Sequence, residues 1–129
     1  MKYLLDSDVI INHFRLKARL QETIVKSGAS ISIITHAELM YEAYKSIYKQ
    51  KSLEILNEFL QSFHIEIIPL NEEIIVTYAD IKTSLEEKGQ KLDEFDLLIA
   101  ATAKISQLTL VTHNLKHFSR VPQLEIFKN

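Results

Sequence analysis

Short apolar runs alternate with longer amphipathic segments along this 129-residue chain. That alternation predicts an α/β fold: a short central sheet, mostly parallel and four to five strands wide, between helices in a three-layer α/β/α arrangement. Glycine and proline are scarce, limited to Gly28, Gly89, Pro69 and Pro122, which excludes turn-rich all-β designs, collagen and glycine/serine linkers. A hydrophobic content of 47% in a chain of this length suits one core, so residues 1–129 are expected to form a single domain.

Each element has its own signal. Residues 2–5 read as a buried strand that ends at Asp6. Residues 9–14 read as a short helix, and 16–26 continue helically until Gly28 closes the turn. Residues 30–34 (SISII) form a second strand. Thr35 and Glu38 match a capping box that opens a helix running to about residue 49. Its apolar positions Ala37, Met40, Ala43, Tyr44 and Ile47 follow the helical period. Residues 53–63 give another amphipathic helix, and 65–70 a strand ending near Pro69. Asn71 caps a long helix over 72–87, closed by Gly89, and Asp93 caps the next, over 94–105. Residues 108–112 (LTLVT) read as a strand, and 124–127 as a last one.

Composition removes several function classes. There is no cysteine, which excludes a disulfide scaffold, a thiolate nucleophile and a cysteine-based zinc site, and fits a cytoplasmic protein. No apolar stretch approaches the ~20 residues that span a bilayer, and the carboxylate at position 6 interrupts any signal-peptide apolar region. Lys+Arg of 15 against Asp+Glu of 17 leaves a formal charge of −2, so contact with nucleic acid must be local. Two isolated glycines write neither GxGxxG nor a P-loop.

Parallel α/β sheets bind ligands beyond the carboxyl ends of their strands, so the residues there carry the functional reading. Asp6, Ser7 and Asp8 follow the first strand. Thr35 and, one turn on, Glu38 follow the second. Thr112, His113 and Asn114 follow LTLVT, and the helix before that strand opens with Asp93 and Asp96 at i, i+3. Carboxylates gathered on one rim repel and raise each other's pKa unless a cation neutralises them. An all-oxygen donor set favours Mg²⁺ or Mn²⁺ over zinc. The implied chemistry is metal-assisted attack of water on a phosphodiester. His113 and His117 share i, i+4 spacing but fall in a predicted loop, which argues against a zinc site.

The stretches YLLDSDVII, SIITHAELMYEA, DEFDLLIAATA and LTLVTHNLKHFSRVPQLEI resemble PIN-domain ribonucleases, specifically the VapC-type toxins of toxin–antitoxin modules. The resemblance runs over nearly the whole chain, in order. It implies that Asp6, Glu38 and Asp96 are the catalytic, metal-binding carboxylates. Ser7 and Thr112 match hydroxyl positions within the acidic cluster. Asp8 stands where Asn is common, Asp93 is an outer carboxylate or the helix cap, and Asn114 falls where relatives carry Asp or Asn. Glu42 stands where many relatives carry Gly. The resemblance further implies an endoribonuclease acting as a toxin, held inactive by a cognate antitoxin and commonly homodimeric. Water as the nucleophile would leave 5′-phosphate and 3′-OH ends.

Arg15, Lys116, His117 and Arg120 are expected phosphate contacts. The run YKSIYKQK interleaves aromatic and basic residues as stacking platforms do, but Tyr44 and Ile47 fall on the apolar helical stripe, which predicts core or interface packing. Two alternatives remain: a non-catalytic PIN-like RNA- or protein-binding module, and a haloacid-dehalogenase-like phosphatase, whose DxDx[TV] opening resembles Asp6-Ser7-Asp8-Val9 and would make Asp6 the nucleophile.

Overall fold

The computed structural model describes residues 2–128. Strand β1 (Tyr3–Leu5) lies inside a parallel sheet with β2 (Ala29–Ser32), β3 (Glu66–Ile68) and β4 (Thr109–Val111), in the order β3-β2-β1-β4. Tyr3 pairs with Ala29 on one side and Thr109 on the other, and Ser30 pairs with Glu66. A strand paired on both edges and covered on both faces must be apolar throughout, as Leu4 and Leu5 are. A predicted fifth strand near the C-terminus reduces to a single parallel bridge between Leu110 and Ile126.

Successive strand residues point to opposite faces, so Leu4 and Leu5 enter different cores. Leu4 and Leu110 pack with Ile74, Ile81, Leu85, Leu97 and Phe118 from α5 (Glu72–Glu87), α6 (Glu94–Ser106) and α7 (Leu115–Phe118). Leu5 and Val111 pack with Val9, Ile24, Leu39, Leu56 and Phe59 from α1 (Ser7–Phe14), α2 (Glu22–Lys26), α3 (Ile33–Lys45) and α4 (Lys49–Ser62). The result is the expected three layers. Asn71 and Asp93 cap as predicted: Ile74 N–H donates to Asn71 Oδ1 at 2.9 Å and Phe95 N–H to Asp93 Oδ2 at 3.2 Å.

Five local readings are corrected. The helix predicted over 16–26 shrinks to Glu22–Lys26, because the chain turns at Leu16, whose φ of 58° lies in the left-handed region. The capping residue of α3 is Ser32, not Thr35: the Ser32 hydroxyl oxygen accepts from Ile34 N–H at 2.8 Å and Thr35 N–H at 3.3 Å. Ile33 and Ile34, read as the end of the second strand, form the first turn instead. The same helix stops at Lys45, where Ser46 turns extended and its hydroxyl accepts from Tyr48 N–H at 3.1 Å. Lastly, His117 belongs to the short helix α7 rather than to a loop.

Candidate active site

The chain builds outward from β1 to β2 and β3, then returns to place β4 on the other side of β1. Strand order therefore reverses between β1 and β4, the position where parallel α/β sheets open a crevice. Asp6 and Thr112 are the first residues beyond these two strands, and they meet there. The backbone N–H of Asp6 donates to the Val111 carbonyl at 2.9 Å. The Thr112 hydroxyl donates to Asp6 Oδ2 at 2.7 Å, and Ser7 N–H donates to Asp6 Oδ1 at 2.8 Å. Asp6 is thus the N-cap of α1, yet it is only 5% exposed, which is unusual for a cap and costly for a charge. Burial, with the nearby charge of Asp8, pushes its carboxyl up to about 7 despite the donors from Thr112 and Ser7.

Thr112 is a hub. Its hydroxyl oxygen accepts from Asn114 N–H at 3.0 Å and lies 3.4 Å from Asp8 Oδ2. Asp8 Oδ2 also accepts from His113 N–H at 3.1 Å, while Asp8 Oδ1 is buried without a partner. Burial raises the Asp8 carboxyl, against the hydrogen bond from His113. The Asp8 side chain thus ties the start of α1 to the loop after β4.

Glu38 lies in the second turn of α3. With Ser32 as the cap, its carboxylate is not engaged at the helix N-terminus. Glu38 Oε1 is buried without a partner. Burial raises this carboxyl most, the Ser7 hydroxyl opposes the rise, and the charges of Asp96, Asp93 and Asp8 add to it. On α6, Asp96 is raised first by burial and then by Asp93, while His117 pulls it down. The Asn114 carboxamide reaches Asp96 Oδ2 at 3.5 Å. Asp6, Asp8, Glu38 and Asp96 therefore feel one another across three chain segments, with Asp93 at the rim as both helix cap and outer charge.

The donors fit a hard divalent cation. All are oxygens, and two of them, Glu38 Oε1 and Asp8 Oδ1, are buried acceptors in need of a positive partner. Each Asp6 oxygen keeps a lone pair beyond its one protein donor. Among the described residues, no three His, Cys, Asp or Glu side chains are already gathered into a metal-holding set.

The expected basic contacts divide. His117 stands near Asp96, and Lys116 is exposed beside it on α7. Arg120 instead donates from Nη1 to the Lys91 carbonyl at 3.0 Å, bracing the loop before α6. Arg15 lines a cavity of about 240 Å³ between α1, α3 and α4, with Phe14, Leu39 and Leu56. The aromatic–basic run is also corrected. Tyr44 and Ile47 are 56% and 90% exposed, because α3 ends before Ile47 and leaves both at the α3–α4 corner, so of core or interface packing only the core half is overturned. Two side chains that the motifs did not single out border the carboxylates: Tyr41 and Phe95 share a cavity with Ser7 and Glu38. Their positions in the sequence, one turn after Glu38 and directly before Asp96, are the signal that finds them.

Comparison with known proteins agrees with this architecture. Residues 3–124 match the PIN domain family. Ribonuclease VapC1 of Methanocaldococcus jannaschii is 38% identical over 122 residues, covering 95% of this chain and 82% of the relative. The tRNA(fMet)-specific endonuclease VapC of Salmonella typhimurium is 29% identical over 129 residues, covering 98% of this chain and 96% of that one. Among solved structures, VapBC2 of Rickettsia felis bound to a promoter DNA fragment superposes with a TM-score of 0.90 at 32% identity, covering 98% of both chains. A crevice lined by carboxylates at the strand-order reversal, and relatives matched nearly end to end, lead to one assignment: the chain belongs to the PIN domain family, within its VapC ribonuclease branch.

Proposed function

We propose that this protein is the toxin of a toxin–antitoxin pair, an endoribonuclease that hydrolyses RNA phosphodiester bonds with Mg²⁺ or Mn²⁺ at Asp6, Glu38 and Asp96. The observation that carries the reading is the approach of carboxylates from three chain segments to the crevice beyond β1 and β4, with two of their oxygens buried and unpaired. The cation's contribution, when bound, is Lewis-acid polarisation of a phosphoryl oxygen and activation of water.

The chain's own groups do the rest. Ser7 N–H and the Thr112 hydroxyl hold the Asp6 carboxylate in one rotamer, as outer-shell donors do for metal ligands. Asp8 holds the loop that carries Thr112. Asn114 steadies Asp96, whose raised pKa suits it to take a proton from the attacking water. Lys116 and His117 receive the flanking phosphate, with Arg15 farther along beside α1, whereas Arg120 is held at the Lys91 carbonyl. The VapBC relatives support a cognate antitoxin as partner. Exposed Ile47, Tyr48, Ile75 and Val76 offer apolar surface for an antitoxin or for a second copy in a homodimer. We assign the activity to the cytoplasm and to residues 1–129 acting as one PIN domain; no helix among the described residues is long and apolar enough to cross a membrane. Membership in the PIN family replaces the phosphatase reading of Asp6.

Water as nucleophile makes the 2′-OH dispensable. An RNA carrying one 2′-deoxyribose at the scissile position is expected to be cut at an undiminished rate, leaving 5′-phosphate and 3′-OH ends; loss of cleavage refutes the mechanism. Asp96→Asn is expected to abolish both saturable Mg²⁺ binding and cleavage. A second reading, a non-catalytic binding module, is favoured by the open arrangement of the carboxylates. It predicts RNA binding without cleavage at any Mg²⁺ or Mn²⁺ concentration.

A further inference from the structure

We infer that Tyr41 and Phe95 form a stacking site for the nucleobase next to the cleaved phosphodiester, so that the chain reads RNA beside Glu38. The inference rests on the nuclease reading above. Tyr41 projects from α3 one turn beyond Glu38, and Phe95 precedes Asp96 on α6. The two rings come from different layers of contact yet line one cavity of about 450 Å³, together with Ser7, Glu38 and Glu42. They are 65% and 44% exposed, although large aromatic side chains gain most from burial.

Charge decides what fits there. Glu38 and Glu42 place two carboxylates on the cavity wall, which repels a phosphate. A flat neutral base meets no such penalty and gains by stacking on either ring. Lys45 Nζ sits 5.2 Å from the Tyr41 ring centroid and 3.1 Å from Glu42, at the outer edge. In the inferred arrangement the phosphate lies at the carboxylate cluster, the next base enters the cavity beside Glu38, and Lys45 at the outer edge faces the following phosphate.

The test uses short single-stranded RNA with 2-aminopurine moved one nucleotide at a time, bound to full-length Asp6→Asn protein so that cleavage does not intervene. Quenching is expected at one position adjacent to the cleaved bond. Tyr41→Ala and Phe95→Ala should each remove it and weaken binding about 10-fold, the size of one stacking contact, while Tyr41→Phe retains both. An abasic nucleotide at that position should cost the wild-type surface the same factor and cost Tyr41→Ala nothing further. Quenching and affinity unchanged in both alanine variants would overturn the inference. Metal-dependent cleavage by the wild-type chain is scored separately. If cleavage occurs and Tyr41→Ala leaves KM unchanged, the stacking site falls while the nuclease reading stands.

Discussion

Asp6 is the carboxylate whose environment costs the fold most, and neutralising it gives a direct measure. Its pKa rises from 3.8 to about 7 in the folded chain, chiefly through burial. The folded state therefore holds a proton that the unfolded state has released, and stability falls as pH rises through that window. Each pK unit is worth about 1.4 kcal/mol, so the ceiling is about 4 kcal/mol above neutral pH. Asp6→Asn removes this cost and keeps the local geometry. Asn Oδ1 still accepts from Ser7 N–H, Nδ2 donates to Thr112, and the freed Thr112 proton turns toward Asp8 Oδ2, 3.4 Å away. In chelator near pH 8 the variant is expected to melt above the wild type, by roughly 5–10 °C if half the ceiling is realised. The difference should shrink steadily as pH falls from 7, and the two should converge only below about pH 4, where the unfolded chain also holds the proton. His13, whose pKa is lowered by burial, gives stability of the opposite pH slope, but it is common to both proteins and cancels. Millimolar Mg²⁺ should stabilise the wild type and not the variant. Parallel pH profiles in thermal unfolding, or a less stable variant at pH 8, would refute the claim that a buried charge is being carried for function.

Three further outcomes are expected. Thr112→Val leaves Asp6 Oδ2 and Asn114 N–H without their shared partner; urea unfolding in chelator should show a loss of about 1–3 kcal/mol. Asn71→Ala removes the acceptor for Ile74 N–H at the start of α5 and should cost about 1 kcal/mol by the same assay, with nuclease activity unchanged. Gln107 ends α6 with φ 56°, so Gln107→Gly should stabilise by about 1 kcal/mol; a destabilised variant would show that the side chain, not the backbone, governs that turn.

The outline of the fold was legible in local pattern. The runs around Tyr3, Ser30, Glu66 and Thr109 were found as strands, and α5 was found with both its cap and its end, because helical period, Asn71 and Gly89 are signals carried within a few residues. The start of α3 was not. Ser32 and Thr35 are both good caps, and only the place where β2 leaves the sheet chooses between them. That choice matters for function, since it releases Glu38 from a structural role. The stripe through Tyr44 and Ile47 stays out of the core for a related reason: periodicity marks one face of a helix, but whether another layer of the same chain covers that face depends on where the helix stops.

The order of residues along the chain determined the alternation of strands and helices, the oxygen-only donor set, and the presence of a carboxylate just after a strand or at the opening of a helix. The tertiary structure decided that β4 lies beside β1, which brings Thr112 against Asp6 across 106 positions of chain. It also decided which carboxylates lose water and which rings stay exposed. Local propensities act over a few residues, whereas desolvation and strand order come from the packing of distant segments, and no single segment encodes them.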